Sequence, residues 1–177
     1  YSVTTARTLT VGGNVTIAPG GTFQSATSGT VTTHVLSVLG DLTNNGTLDF
    51  STSGSTGAVL TFTGSSNATF SGTGAVTDIR TLTINKGSSS ASVLELMTSN
   101  FTVQGASTDG LNSAYLTLTN GTLKISGTFS GTHRTFTVPA YTVAATCGLW
   151  LNNPNYTVAG QNGSPTNNGL LRITQGT

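Results

Sequence analysis

The sequence predicts an all-β protein, a right-handed parallel β-helix of about eight coils of roughly 20–25 residues each. Three observations predict it. Short segments alternate apolar and polar residues along the whole chain, as half-buried strands do. No window keeps apolar residues at helical spacing for three turns. Related phrases also recur, among them "GDLTNNGTLDF", "TNGTLKISGTF" and "TNNGLLRI".

The predicted strands have a common form, with two apolar residues on one side and Thr, Ser or another polar residue on the other. In chain order they are "TLTV", "NVTI", "VLSV", "VLTF", "TLTI", "FTVQ", "YLTL", "TLKI", "TFTV", "YTVA" and "LLRI". Between them lie Asn-Gly, Gly-Gly, Ser-Gly and Pro-Gly pairs, which accept the positive φ angles of tight turns.

The spacing of the strands distinguishes a solenoid from other all-β folds. Successive strand starts lie about 18–27 residues apart, and each interval holds two or three strand-length segments. A β-sandwich also has regular short strands, but its hairpins give no reason for near-repeated phrases at this period. The residues taken as equivalent strand starts are Leu9, Leu36, Leu60, Leu82, Phe101, Leu123 and Tyr141.

The stretch "GDLTNNGTLDF" shows how one coil is built. We expect Leu42, Leu48 and Phe50 to point into the coil. Residues 44–46, Asn-Asn-Gly, turn the corner between two sheets, because Asn tolerates left-handed backbone and bonds to its own neighbours. Asn side chains stacked in successive coils would form ladders.

Composition restricts the functional classes. Only 6% of the residues are charged and the formal net charge is +1, which predicts no attraction to nucleic acid or to an anionic membrane. No apolar run approaches the ~20 residues that span a bilayer. The single cysteine, Cys147, excludes an internal disulfide and is expected to be a small buried hydrophobe.

We predict a single β-helix segment over residues 1–177, with a loop-rich variant region at 147–170. The chain starts at Tyr1 without Met, and its terminal "LLRITQGT" reads like the beginning of another coil. These features suggest a processed product or a piece of a longer solenoid. Abundant Thr, Ser, Asn and Gly with few Lys and Glu favour an exported protein.

Several phrases carry a resemblance to a known group of proteins: "LSVLGDLTNNGTLDF", "TLTINKG" and "GLWLNNPNYTV" followed by "GLLRITQGT". From about Arg7 to its end the chain resembles the Thr/Asn/Gly-rich β-helical repeats of very large surface proteins of Bacteroidota. Those proteins are typically exported by the type IX secretion system and include adhesin-like examples. The resemblance implies an extracellular or cell-surface location, a stalk or adhesin role and no catalytic residue.

Groups that carry enzyme or metal chemistry are sparse. The five acidic residues are Asp41, Asp49, Asp78, Glu95 and Asp109. We expect solvated carboxylates, with Asp41 and Asp49 on different sheets and Asp78 one or two coils away. His34 and His133 are expected to occupy equivalent corners several coils apart, too far to share a metal. The prediction is no catalytic residue, no metal and no cofactor.

Two surface features offer binding functions. Trp150 and Tyr156 lie in sequence that reads as loops and are the candidates for contacting a carbohydrate. Thr-x-Thr pairs on a flat face would order water and bind ice if they aligned coil after coil. Those pairs are Thr8/Thr10, Thr61/Thr63, Thr81/Thr83, Thr117/Thr119 and Thr135/Thr137.

The sequence thus favours a non-catalytic stalk or adhesin segment. Its expected partners are neighbouring solenoid coils or identical chains stacked end to end, and surface glycans. The alternatives are a module binding carbohydrate or another surface ligand through the C-terminal loops, then an ice-binding face, then a polysaccharide-active enzyme.

Overall fold

The architecture of the chain was obtained from a computed structural model, which describes residues 4–103, 114–138, 140–160 and 163–177. These residues form nineteen β-strands and no helix. In chain order the strands are β1 Thr8–Val11, β2 Val15–Ile17, β3 Thr22–Gln24, β4 His34–Val38, β5 Leu42–Asn44, β6 Thr47–Asp49, β7 Ala58–Phe62, β8 Ala68–Gly72, β9 Val76–Ile79, β10 Thr81–Asn85, β11 Val93–Thr98, β12 Thr102–Val103, β13 Leu116–Ile125, β14 Gly131–His133, β15 Thr142–Val143, β16 Cys147–Asn152, β17 Tyr156–Val158, β18 Thr166–Asn167 and β19 Leu170–Gln175.

The strands stack in parallel into the predicted β-solenoid, which has about six turns. The first face contains β1, β4, β7, β10 and the first half of β13. The second face contains β2, β5, β8, β11, the second half of β13, β16 and β19. Because β13 runs through both faces, the two form one 11-stranded sheet.

The third face closes each turn. It consists of β3, β6, β9 and β12 in one four-stranded sheet, followed by the pair β14 and β17. A further two-stranded sheet pairs β15 with β18. The stretch 147–170, predicted to be rich in loops, carries β16, β17 and β18, while residues 161–162 lie outside the described part.

The number of turns differs from the predicted eight because three of the assumed strand starts are not equivalent. Leu9, Leu36, Leu60 and Leu82 are register partners, as expected. The next partner of Leu82 is Leu116. Three residues placed in that series lie elsewhere: Phe101 precedes β12 on the third face, Leu123 is in the second face, and Tyr141 precedes β15.

The core is built from inward columns that run the length of the solenoid. One column on the second face is apolar in seven successive rows, Val15, Leu42, Phe70, Leu96, Ile125, Leu151 and Ile173. Leu42, Leu48 and Phe50 point inward as predicted and are buried. Because equivalent residues meet about 4.8 Å apart, each row covers the next.

Two glycines allow the turns to approach closely at corners. Gly72 ends β8 with φ +122°, and a side chain there would run into the carbonyl oxygen of Asn44 in the turn below. Gly121, with φ +86°, lies where β13 passes from the first face to the second, and a Cβ would come within 2.9 Å of the Lys86 side chain. A residue larger than Gly therefore strains both corners.

Replacing Leu48 with Ala should lower the free energy of unfolding by about 2–5 kcal/mol, because it leaves a cavity in a fully buried row. The matched control is Thr47→Ala, next to it in β6 but pointing outward, with an expected change within about 1 kcal/mol. Urea denaturation followed by circular dichroism measures both. Equal losses for the two variants would contradict the inward and outward assignment.

Candidate functional site

The outer side of the second face carries a column of charged and aromatic side chains. Thr69, Glu95, Lys124, Trp150 and Arg172 are register partners in five successive strands. Each belongs to the outward set of its strand, between inward apolar residues. Register therefore stacks these side chains in one line, although 22 to 29 residues separate each from the next.

The contacts along this column are one ion pair followed by two cation–π contacts. Lys124 Nζ lies 2.8 Å from Glu95 Oε1 and 4.5 Å from the centre of the Trp150 ring. Arg172 Cζ lies 4.1 Å from the same ring. Since Lys124 and Arg172 come from the turns on either side of Trp150, they cover opposite faces of the indole.

Hydrogen bonds from neighbouring residues hold Glu95 and Trp150 in place within the column. The Trp150 indole N–H donates to Thr174 Oγ1 at 3.0 Å, and the Ser126 hydroxyl donates to Glu95 Oε1 at 2.7 Å. Partial burial opposes ionisation of Glu95, but the bonds from Lys124 and Ser126 and the lysine charge outweigh it and lower the pKa of Glu95. The charged side chains of the column are thus held in place mainly by contacts with one another and with Trp150.

Trp150 was a predicted carbohydrate contact, and the structure places it outward and partly exposed. A sugar that stacks on an indole needs a free ring face. Both faces of Trp150 are occupied by cations, so a ligand reaches only the ring edge and the outer side of Arg172.

Tyr156, the second predicted contact, lies in the core and not in a surface loop. It is fully buried, and its hydroxyl bonds to the Tyr115 hydroxyl at 2.8 Å and to Thr135 Oγ1 at 3.2 Å. The rings of Phe129 and His133 pack against it. Tyr156 therefore helps to fill the interior and presents no surface to a dissolved ligand.

Burial also determines how these two tyrosines ionise. Desolvation raises the pKa of Tyr115 well above its ordinary value. Desolvation likewise raises the pKa of Tyr156 to about 12, although its hydrogen bonds to Thr135 and Tyr115 oppose part of this effect. Both phenols consequently remain protonated where an exposed tyrosine would begin to ionise.

The acidic residues are dispersed except at one position. Asp41 precedes β5 on the second face and accepts hydrogen bonds from the Thr69 amide at 2.7 Å and the Thr69 hydroxyl at 3.1 Å. Asp49 ends β6 on the third face, so the two lie on different sheets as predicted. Asp78 is the direct register partner of Asp49, one turn on. Asp109 lies outside the described residues.

The two histidines do not occupy equivalent corners, so that prediction is wrong. His34 begins β4 on the first face, where its Nδ1 accepts a hydrogen bond from the Arg7 amide. His133 ends β14 on the third face and is buried beside Tyr115 and Tyr156. Within the described ranges, no three His, Cys, Asp or Glu residues are grouped to hold a metal ion.

Buried polar side chains support the corners between faces. Asn44, predicted as a corner residue, is fully buried: its Nδ2 donates to Val76 O at 2.7 Å and Thr77 Oγ1 at 2.9 Å, and its Oδ1 accepts from the Gly46 amide. Asn153 makes a similar pair of contacts four turns later: its Nδ2 donates to the Phe129 carbonyl and its Oδ1 accepts from the Asn155 amide. A one-step Asn ladder also occurs, from Asn120 to Asn85.

Sequence reasoning missed Lys86, which is fully buried just after β10. Its Nζ donates to the carbonyl of Thr63 in the previous turn at 2.9 Å. Desolvation lowers the pKa of Lys86, while the charge of Asp41 opposes the shift. The one signal in the sequence was a lysine directly before a corner glycine in "INKG". Cys147, by contrast, is buried as predicted.

Both ends of the described solenoid expose core side chains. At the N-terminal end a cavity of about 350 Å³ is bordered by Leu9, Phe23, Leu36 and Phe50. At the other end a cavity of about 210 Å³ is bordered by Phe136, Leu171 and Ile173, among others. Leu9 is 42% exposed, Leu171 56% and Ile173 57%.

Fold and surface together define the class of the protein: a parallel β-solenoid with a self-paired polar surface and open apolar ends. Comparison with protein-family models, with curated protein sequences and with solved structures gives no match for this chain. No helix among the described residues is long and apolar enough to cross a membrane.

Removing the side chain of Asn44 should cost about 2–3 kcal/mol of folding free energy, because a buried carbonyl, hydroxyl and amide lose their partner. The matched control, Asn45→Ala, removes one acceptor for Thr73 at an exposed position and should cost under about 1 kcal/mol. Thermal and urea unfolding compare the two. A similar cost for both would show that the buried network contributes little.

Stability should fall as the pH rises above about 10, the ordinary pKa of tyrosine. The raised folded-state pKa values of Tyr115 and Tyr156 mean that their stabilising contribution is complete below that pH and is lost as the pH passes through the folded values, about 12 for Tyr156. Urea midpoints measured from pH 8 to 12 test this. Tyr156→Phe should flatten the slope, and an unchanged slope would contradict the assignment.

Proposed function

We propose that the chain is a non-catalytic structural segment of an extracellular or cell-surface protein, a β-solenoid shaft that stacks end to end on neighbouring solenoid turns or on identical chains. The observation that carries this proposal is the exposure of inward apolar rows at both ends. Leu171 (56% exposed) and Ile173 (57% exposed) lie in the last row of the second face, and Leu9 (42% exposed) lies in the first row of the first face. In each row, one polar residue is flanked by one apolar residue on either side.

Stacking would extend the bonding that already joins the turns. Among the described residues, no strand pairs with the edge of β19 that faces away from β16 or with the edge of β2 that faces away from β5, so each edge can accept a strand of another solenoid turn. Docking these edges in the register of the seven-row column would pack Ile173 against Val15. The favourable terms are the burial of apolar surface and a further row of backbone hydrogen bonds.

The surface placement of the protein rests on composition and on the resemblance to Bacteroidota adhesin-like repeats, including their type IX export. Thr, Ser, Asn and Gly cover the outside with few charges, which suits a hydrated shaft outside the cell. A glycan-binding role has less support, because Tyr156 is buried and Trp150 is held between two cations.

The test is the assembly state of the purified chain. Analytical ultracentrifugation over a wide concentration range should show reversible growth into linear oligomers. Ile173→Lys, which places a charge in the exposed end row, should reduce this growth strongly. Met97→Lys is the matched control, since Met97 is also exposed (44%) but points outward from the side of the second face.

The control should assemble as the unmodified chain does. A chain that stays monomeric at every concentration contradicts end-to-end stacking of copies. Equal loss of assembly in Met97→Lys would instead place the contact on the side of the solenoid.

A further inference from the structure

The outer side of the first face carries an unbroken column of hydroxyl groups. Register pairs Thr10 with Ser37, Ser37 with Thr61, Thr61 with Thr83, and Thr83 with Thr117. The column continues to Thr137, whose hydroxyl lies 3.2 Å from that of Thr117. Six hydroxyls therefore follow one another at the spacing of parallel strands, about 4.8 Å.

A second column runs beside the first, two residues earlier in each strand. It contains Thr8, Val35, Val59 and Thr81, so two adjacent valines, with methyl groups alone, lie between two threonines. Two residues of a parallel strand span about 6.6 Å, which sets the distance between the columns. The face is thus a two-dimensional array with a short repeat along the solenoid axis and a longer repeat across it.

Turn length varies without disturbing this array. The chain segments that follow the first-face strands, residues 39–41, 63–67 and 86–92, lie at the corner leading to the second face. Because the extra residues are placed at the corner, the strands of the first face keep their register. Turns of unequal length therefore leave the first-face hydroxyls aligned, which is the condition for an ice-binding face.

Apart from His34, the strands of the same face carry no ionisable side chain. The strands β1, β4, β7, β10 and the first half of β13 contain no Asp, Glu, Lys or Arg, whereas the second face carries Glu95, Lys124 and Arg172. Within the described part of the chain, the hydroxyls of Ser37, Thr61 and Thr83 make no hydrogen bond to protein atoms. They remain available to water.

We propose that this hydroxyl array, the column from Thr10 to Thr137 together with the neighbouring column from Thr8 to Thr81, binds the surface of ice. A face of an ice crystal is itself a flat array of hydrogen-bond donors and acceptors, with repeats of a few ångströms in two directions and no charged groups. Each hydroxyl contributes only a weak contact, but a rigid column of six makes them simultaneously and without the cost of ordering loops.

The inference is independent of the shaft proposal, because it uses the side of the solenoid and not its ends. Its test is the growth of a single ice crystal in a solution of the full chain. The expected result is thermal hysteresis, a gap between melting and growth temperatures, with crystals faceted by adsorbed protein. Inhibition of ice recrystallisation in a frozen sucrose solution is the second readout.

Thr61→Lys places a charge in the middle of the array and should reduce hysteresis several-fold. Val59→Lys, on the neighbouring column, should do the same without removing a hydroxyl. Thr43→Lys is the matched control: it makes the same change at a half-buried outward position in the middle of β5, on the second face, and should keep the hysteresis of the unmodified chain. Circular dichroism and melting temperatures confirm that each variant is folded.

Three results would overturn the proposal. In the first, the unmodified chain would leave ice growth and crystal shape unchanged at millimolar concentration. In the second, Thr61→Lys and Val59→Lys would both fold and retain full hysteresis. In the third, the chain would sediment with an insoluble crystalline polysaccharide and leave ice growth unaffected, which would assign the array to a polymer ligand instead.

Discussion

Residue-by-residue hydrogen bonding between parallel turns is the constraint on which the rest of this solenoid depends. Once Leu9 pairs with Leu36, every other residue of those strands is committed to the inside or the outside, because side chains alternate with a period of two. A slip of one residue would expose a whole apolar row. The seven-row column from Val15 to Ile173 shows that register holds from one end to the other.

The corners accommodate the differences in chain length between turns, because the faces keep a fixed register. Between the first and second faces the connection ranges from none, within β13, to residues 86–92 between β10 and β11. A corner also has backbone groups that no neighbouring strand pairs, and buried side chains satisfy several of them. Asn44 and Asn153 do this with amides, and Lys86 with an ammonium group. The buried amide and ammonium groups therefore have a structural role: they donate hydrogen bonds to backbone carbonyl groups at the corners, consistent with the need to pair buried polar groups.

The strand pattern was predictable because it is local. Period-two alternation identified Leu42, Leu48 and Phe50 as inward residues, and the structure confirms them. The number of turns was not predictable in this way. Alternation tells which side of a strand is buried, but it does not tell which of three similar faces the strand joins. Phe101, Leu123 and Tyr141 looked like equivalent starts and belong to different sheets. Trp150 stood out as unusual, yet its cation partners are 22 to 26 residues away and could be identified only from register.

The sandwiched indole has a spectroscopic consequence. Trp150 is the only tryptophan in the chain, so its fluorescence reports on a single place, between β13 and the last strand. A solenoid loses its terminal turns more easily than its central ones, since each turn is held only by its neighbours. Detachment of β19 would remove Arg172 from one ring face and Thr174 from the indole N–H, while the rest of the fold stays intact. The emission of this one residue is therefore a local gauge of fraying at one end, separate from the global unfolding that circular dichroism records.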